Sequence, residues 1–175
     1  MKTFLEVGTC DFNTLNYLSD IGWRGVMVEP VKKYLNNIEQ KPNIHYLNYA
    51  VDWECGQRLM YLANDAIVEQ DRDFSGMSSF YKRVPALTEE MLVNTITFEK
   101  IFDLCKITQI DILKIDAEGY DLELIKMFPF HIIKPKNIRA EVEHIDVIAM
   151  AELLASHGYH CDYDSTDVFA ILVNE

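Results

Sequence analysis

Cations are scarce in this chain. Sixteen lysines and arginines stand against 28 acids, leaving a formal charge of -12. A nucleic-acid binder needs a basic footprint to displace counterions, and adhesion to anionic lipid needs basic clusters, so neither partner is expected. Cysteine is sparse too: Cys10, Cys55, Cys105 and Cys161 are far apart and form no C-x-x-C pair. That pattern excludes a disulfide framework and a cysteine zinc site. No apolar run is long enough to span a bilayer. Strand-like sequence begins at Thr3 with no basic segment before it, so the expected setting is cytoplasmic, without a signal peptide or a helical segment ahead of the first strand. Seven glycines and five prolines are too few for long disordered tracts, and no repeat is visible. With 175 residues, 49% hydrophobic and 25% charged, the expectation is a single domain over residues 1–175 that buries a core without staples.

The stretch that organises the rest is Thr3-Phe4-Leu5-Glu6-Val7-Gly8-Thr9-Cys10-Asp11-Phe12. A short apolar strand runs into a glycine turn and then into a helix-like segment from Asn13 to Ile21, which stops at Gly22. A strand feeding a helix through such a turn is the first half of a nucleotide-binding βαβ unit. The turn glycine is expected to adopt a positive φ and let the backbone approach a ligand. About twenty residues later Val26-Met27-Val28-Glu29-Pro30 ends a second apolar strand on an acid, the position that accepts hydrogen bonds from ribose hydroxyls.

Further along, the pattern predicts a helix from Val31 to Glu39, a strand from Ile44 to Val51 and an extra strand from Arg58 to Ala63. Asn64 to Pro85 shows no period and reads as a long loop; its tract Ser75 to Arg83 mixes small hydroxyl residues, aromatics and two cations. A helix from Phe98 to Cys105 follows, with Thr97 as its N-cap. Strands are expected at Ile110 to Ile115 and Ile138 to Val142, with a short helix from Leu122 to Met127 between them. After a helix from Val147 to His157, strands at Tyr159 to Tyr163 and Val168 to Val173 are joined too tightly for a helical crossover and must be antiparallel. The fold class is α/β: a Rossmann-like, doubly wound, mostly parallel sheet ending in an antiparallel hairpin. Ligands of such sheets sit beyond the carboxyl ends of the strands. That rule gathers Glu6 to Asp11, Glu29, Ala50-Val51, Asp116 to Gly119 and Glu141 to His144 around one crevice.

The run Asp111-Ile112-Leu113-Lys114-Ile115-Asp116-Ala117-Glu118-Gly119-Tyr120-Asp121 resembles the D-x-L-K-x-D-x-E-G-Y-E signature of the FkbM family of S-adenosylmethionine-dependent methyltransferases. Glu6-Val7-Gly8-Thr9, Gly22-Trp23-Arg24-Gly25 leading to Val28-Glu29-Pro30, and Arg139-Ala140-Glu141-Val142-Glu143-His144 agree with it. The resemblance runs from the first strand to the fifth and implies a class I methyltransferase fold with S-adenosylmethionine as cofactor. It also implies methyl transfer to oxygen, commonly a sugar or polyketide hydroxyl. Carried over by position, Glu6, Gly8 and Thr9 match the loop holding the methionine part, Glu29 with Pro30 the ribose end, and Ala50 with Val51 the adenine edge. Ser78 or Ser79 matches a small-residue loop by the cofactor, and Asp116, Glu118 and Gly119 the segment facing the methyl group. Phe12 stands where a second glycine often lies, and Asp11 is a candidate to bond the cofactor's amino group.

A hydroxyl acceptor gains from losing its proton as it attacks, so a carboxylate or histidine is expected within reach. Asp116 is favoured as the catalytic residue nearest the methyl group, with Glu118, Glu141, Glu143 and His144 as further candidates. Glu118 could instead cap the following helix. These acids with His144 could also hold a divalent cation, although no metal ligand is assigned. Lys114, inside a buried strand, is expected to pair with an acid. Two other readings stay open: a nicotinamide-dependent oxidoreductase, which lacks its G-x-G-x-x-G here, and a non-catalytic cofactor-binding module of the same fold.

Overall fold

In the computed structural model, which describes residues 1–12, 14–63, 68–69, 72–73, 77–82 and 85–173, the chain enters on a strand buried almost throughout. Side chains of this strand, β1 (Thr3–Val7), leave alternate faces. Phe4 joins Leu18, Met27, Leu35, Ile38 and Ile44 on one side, while Leu5 and Val7 join the larger apolar cluster on the other. A 3-10 turn (Asn16–Ile21), β2 (Arg24–Val28), α1 (Lys32–Asn37) and β3 (Ile44–Leu47) follow. The expected helix from Asn13 is therefore a shorter 3-10 segment without a side-chain cap; Asn13 itself lies outside the described residues. Phe4 also explains Gly25: a Cβ there would lie 2.1 Å from the Phe4 ring, so the strand crossing has no room for one.

The third expected strand is split. Ala50–Val51 is a separate strand, β4, which leaves the main sheet and pairs with β9 (Leu87–Ile96). β9 lies antiparallel to β5 (Gly56–Ala63), and β5 carries β8 (Ser78–Ser79) on its other edge. Between them β6 (Val68–Glu69) and β7 (Arg72–Asp73) form a two-stranded antiparallel ribbon. The span expected to be one long loop thus contains short strands, while Ser75, Gly76 and Arg83 lie outside the described residues. No strand is expected from the sequence over residues 87–96, because Glu89, Glu90, Leu92 and Asn94 face outward and blur the alternation. The inward residues Met60, Leu62, Val93 and Ile96 share an apolar cluster with Leu5 and Leu113 of the main sheet.

The remaining elements are α2 (Phe98–Cys105), β10 (Ile112–Ile115), α3 (Asp121–Met127), β11 (Asn137–Glu141), α4 (Val147–Ser156), β12 (Tyr159–Tyr163) and β13 (Asp167–Leu172). Thr97 caps α2 as expected, accepting the Lys100 N–H at 3.2 Å. The main sheet has the order β12-β13-β11-β10-β1-β2-β3. β13 is antiparallel to both neighbours and the other pairs are parallel. The terminal hairpin is present, with its second strand inserted between β11 and β12. Strand order reverses at the β1–β10 pair, and the crevice beyond their carboxyl ends is where open α/β sheets take ligands. No helix among the described residues is long and apolar enough to cross a membrane.

Candidate active site

At the reversal point the two strand ends are locked together. Asp116 N–H donates to Val7 O at 3.0 Å, and Gly8, with φ 77°, passes directly over the Asp116 carbonyl. A Cβ on Gly8 would lie 1.7 Å from that oxygen. The tight approach that excludes a side chain is thus made to the neighbouring strand. Beyond it lies a cavity of about 280 Å³.

One end of the cavity is set by Glu29. Its carboxylate, 2% exposed, accepts the Cys10 N–H at 2.8 Å and the Val31 N–H at 2.7 Å, which tie the first loop to the start of α1. Burial pushes this acid up to about 7, against the pull of those two backbone donors. Pro30, Tyr49, Ala50, Val51 and Met60 line the cavity with it. The wall opposite comes from the second sheet and the signature turn: Met77, Ser78, Phe80, Ala117, Tyr120 and Leu124. Phe80 and Tyr120 meet edge to face at 5.0 Å, and the Arg58 guanidinium lies 4.0 Å from the Phe80 ring centroid. Arg58 binds both Asp52 oxygens, and Tyr120 donates its hydroxyl to Asp52 at 2.8 Å. This node fastens β5 to the signature turn.

Part of the same lining is acidic. Asp116, Glu118 and Glu141 all line the cavity. Lys114 reaches Asp116 Oδ2 at 3.1 Å and Glu6 Oε1 at 3.3 Å, as expected of a lysine inside a strand. Glu118 has φ 50° and Gly119 φ 88°, a left-handed pair that turns the chain away from β10. Asp121, fully buried, holds that turn by accepting the Ala117 and Gly119 N–H groups at 2.9 Å each. α3 has no side-chain cap hydrogen bond, so Glu118 does not cap it; Asp121 holds the turn ahead of the helix, and Glu118 lines the cavity. His144 Nε2 lies 3.8 Å from Glu118 Oε2. Burial, with the charge of Asp116 next, pushes Glu118 up to about 7; burial, with Glu118 next, pushes Glu141 up to about 9.

Of the residues singled out from the sequence, Gly8, Glu29, Pro30, Ala50, Val51, Ser78, Asp116, Glu118 and Glu141 line this one cavity, and so does Phe12. Others lie outside its lining, among them Glu143 and Gly119, whose N–H donates to Asp121. Glu6 is fully buried beneath the first loop, bound to Lys114 and to the Leu15 N–H at 3.3 Å. Thr9 is buried within the turn, and Asp11 takes the Asn37 amide at 3.2 Å. Ser79 donates to the Glu118 carbonyl at 2.8 Å, and His144 touches the site through Glu118. Tyr49, Met60, Met77, Phe80 and Tyr120 had not been singled out as site residues. Tyr120 carried a signal as part of the signature run, and Met77 and Phe80 as part of the tract Ser75 to Arg83.

The family profile of the methyltransferase FkbM domain matches residues 6–161. The chain belongs to the FkbM methyltransferase family. Among solved structures it is similar to a fibrillarin/Nop5p complex, with a TM-score of 0.50 and 12% identity over 97% of this chain and 70% of that one. The ribosomal protein L11 methylase of Lactobacillus delbrueckii subsp. bulgaricus gives 0.49 and 10%, over 99% and 70%. Magnesium protoporphyrin IX methyltransferase from Synechocystis PCC 6803, with bound S-adenosylmethionine, gives 0.48 and 6%, over 97% and 69%. No curated protein matches the chain. At 12% identity the fibrillarin likeness is one of fold. The FkbM chain is an S-adenosylmethionine-dependent methyltransferase, and its cavity suits a cofactor of that chemistry: the lining joins carboxylates, fit for a cationic and hydroxylated ligand, with apolar side chains fit for a flat ring.

The carboxylates of this FkbM site also set a pH dependence. Glu29, Glu118, Glu141 and Asp121 are all raised by burial, to about 7, 7, 9 and 6. The fold therefore favours their protonated forms. That contribution is complete below the ordinary carboxylate range and is lost as pH climbs through the raised values. Tm is expected to be lower at pH 9 than at pH 5.5. In Glu141→Gln, whose amide cannot ionise, scanning calorimetry should show a smaller difference between the two.

Proposed function

We propose that this methyltransferase acts on oxygen, methylating a hydroxyl of a sugar, glycan or related small metabolite. The observation carrying this reading is that Asp116, Glu118 and Glu141 line one cavity together with Glu29. Bound S-adenosylmethionine supplies an electrophilic methyl carbon attached to a good leaving group. The chain supplies the alignment and the proton acceptor. Glu29 holds the ribose hydroxyls, with Ala50, Val51 and Pro30 along the adenine side. Gly8 and the loop to Asp11 take the methionine end, held from beneath by Glu6 and Thr9. Phe80, Tyr120 and Leu124 exclude water from the reacting end. Asp116 receives the acceptor's proton: Lys114 binds its Oδ2 and leaves the second oxygen for the substrate. Glu118, Glu141 and His144 hold the acceptor, and Ser78 with Ser79 fixes the wall beside it.

The test is calorimetric titration of S-adenosylhomocysteine, followed by transfer of labelled methyl to a panel of hydroxylated sugars and metabolites. Micromolar binding and label in an ether-linked product support the reading. Label on nitrogen or carbon would overturn the O-methylation, and absence of binding would remove the cofactor site. Binding without transfer to any acceptor in the panel would favour a non-catalytic module, a reading motivated by Phe12, 62% exposed in the cavity wall.

A further inference from the structure

The acidic end gathers more carboxyl groups than its surroundings provide with cationic partners. Glu118 and Glu141 face each other with Asp116, Asp121 and Glu143 nearby, each of which raises one or both of them. Lys114 is engaged by Glu6 and Asp116, and Arg139 by Asp167 at 2.8 Å. Among the described residues no lysine or arginine is ion-paired with Glu118 or Glu141; the cationic partner of Glu118 is His144, when protonated. Glu141 Oε2 is sealed from solvent and has no hydrogen-bond partner. An oxygen left this way is costly to the fold, the more so if it is charged. The three side chains come from two strand ends at the crevice. One ligand atom of each, Glu118, Glu141 and His144, lies within 4.8 Å of the others.

We propose that Glu118, Glu141 and His144 bind a divalent cation at the acceptor end of the cavity. Two carboxylates and one imidazole suit a cation such as Mn²⁺, intermediate between the oxygen-only preference of Ca²⁺ and the sulfur-rich sites of softer metals. Bonds of about 2.1 Å put neighbouring ligand atoms about 3 Å apart, so the side chains close in by rotation about their own bonds. The cation supplies the missing partner of Glu141 Oε2 and neutralises the carboxylate pair. Three protein ligands leave coordination positions open, and an acceptor hydroxyl fits one of them. There the cation lowers the hydroxyl's pKa, with the proton leaving to Asp116. This last role rests on the O-methylation reading; the binding itself does not.

The test is titration of Mn²⁺ alone into the protein, followed by calorimetry and by loss of the free-ion paramagnetic resonance signal. One ion per chain is expected, with binding at least tenfold weaker in Glu141→Gln and in His144→Ala. Glu123→Gln, on the surface of α3, should bind as the parent does. Circular dichroism establishes that each variant is folded before it is titrated. Absence of Mn²⁺ binding, or equal binding in all four proteins, overturns the assignment. S-adenosylhomocysteine titrated into the parent separates the two proposals: cofactor binding without Mn²⁺ binding sinks only the cation site. Mn²⁺ binding without cofactor binding sinks the methyltransferase cavity and leaves the cation site standing.

Discussion

Glu29→Ala is expected to weaken S-adenosylhomocysteine binding at least a hundredfold, to the edge of what calorimetry detects. Glu29 combines two tasks in one buried carboxylate. Toward the protein it accepts the Cys10 and Val31 N–H groups; it also lines the cavity, where in the proposed function its remaining acceptor capacity takes the ribose. Hydrogen bonds to a charged group contribute about 1.5–3 kcal/mol each, so two lost to the ligand exceed the hundredfold mark. Alanine also leaves two backbone donors without their acceptor, and each such orphan costs about 1–3 kcal/mol, so Tm should fall by several degrees. Binding is therefore measured at a temperature where the variant is still folded. Glu29→Gln, which keeps an acceptor but no charge, should fall between the two. A Glu29→Ala protein that binds as tightly as the parent would show that the ribose lies elsewhere.

Gly8→Ala is expected to destabilise the fold by about 3–5 kcal/mol, joining the cost of a left-handed non-glycine residue to that of overpacking. The two parts can be separated. Gly22 has a similar φ, 84°, but a Cβ there meets nothing within 4 Å. Gly22→Ala therefore pays the backbone strain alone, about 1–2 kcal/mol. The difference between the two variants in urea denaturation measures the contact with the Asp116 carbonyl. Because that contact aligns β1 with β10, Gly8→Ala should also lose cofactor binding, whereas Gly22→Ala should not. Equal destabilisation of the two variants would mean that the strand ends can separate at little cost.

Much of this molecule follows from local pattern. Phe4, Leu5 and Val7 mark a buried strand, Thr97 marks a helix start, and the short link before β13 requires an antiparallel pair. The spacing from Gly8 to Glu29 already places both in one unit, and the signature run places Asp116 and Glu118 after a strand. These features are legible because each depends on a few consecutive residues and on rules of alternation and connection that hold in any chain. The sequence also suffices to identify the family, since the matching residues lie in order along it.

Other features depend on which segments meet. The sequence does not show that Ala50–Val51 leaves the main sheet to pair with β9, because either pairing satisfies the same backbone groups. Nor does it show that Phe80, Met60 and Met77 come from a second sheet to wall the cavity. Glu6 looks like a cofactor ligand by position, yet alternation along β1 turns it beneath the loop, where its cross-strand neighbour Lys114 binds it. Asp121 and Glu118 are nearly adjacent acids of similar appearance. Only the left-handed turn decides that Asp121 holds the backbone while Glu118 faces the cavity. Strands, turns and the acid that follows β2 are thus local properties, determined by the sequence alone. The division of the acids between scaffold and site is a tertiary one, because burial and partners come from residues distant in the chain.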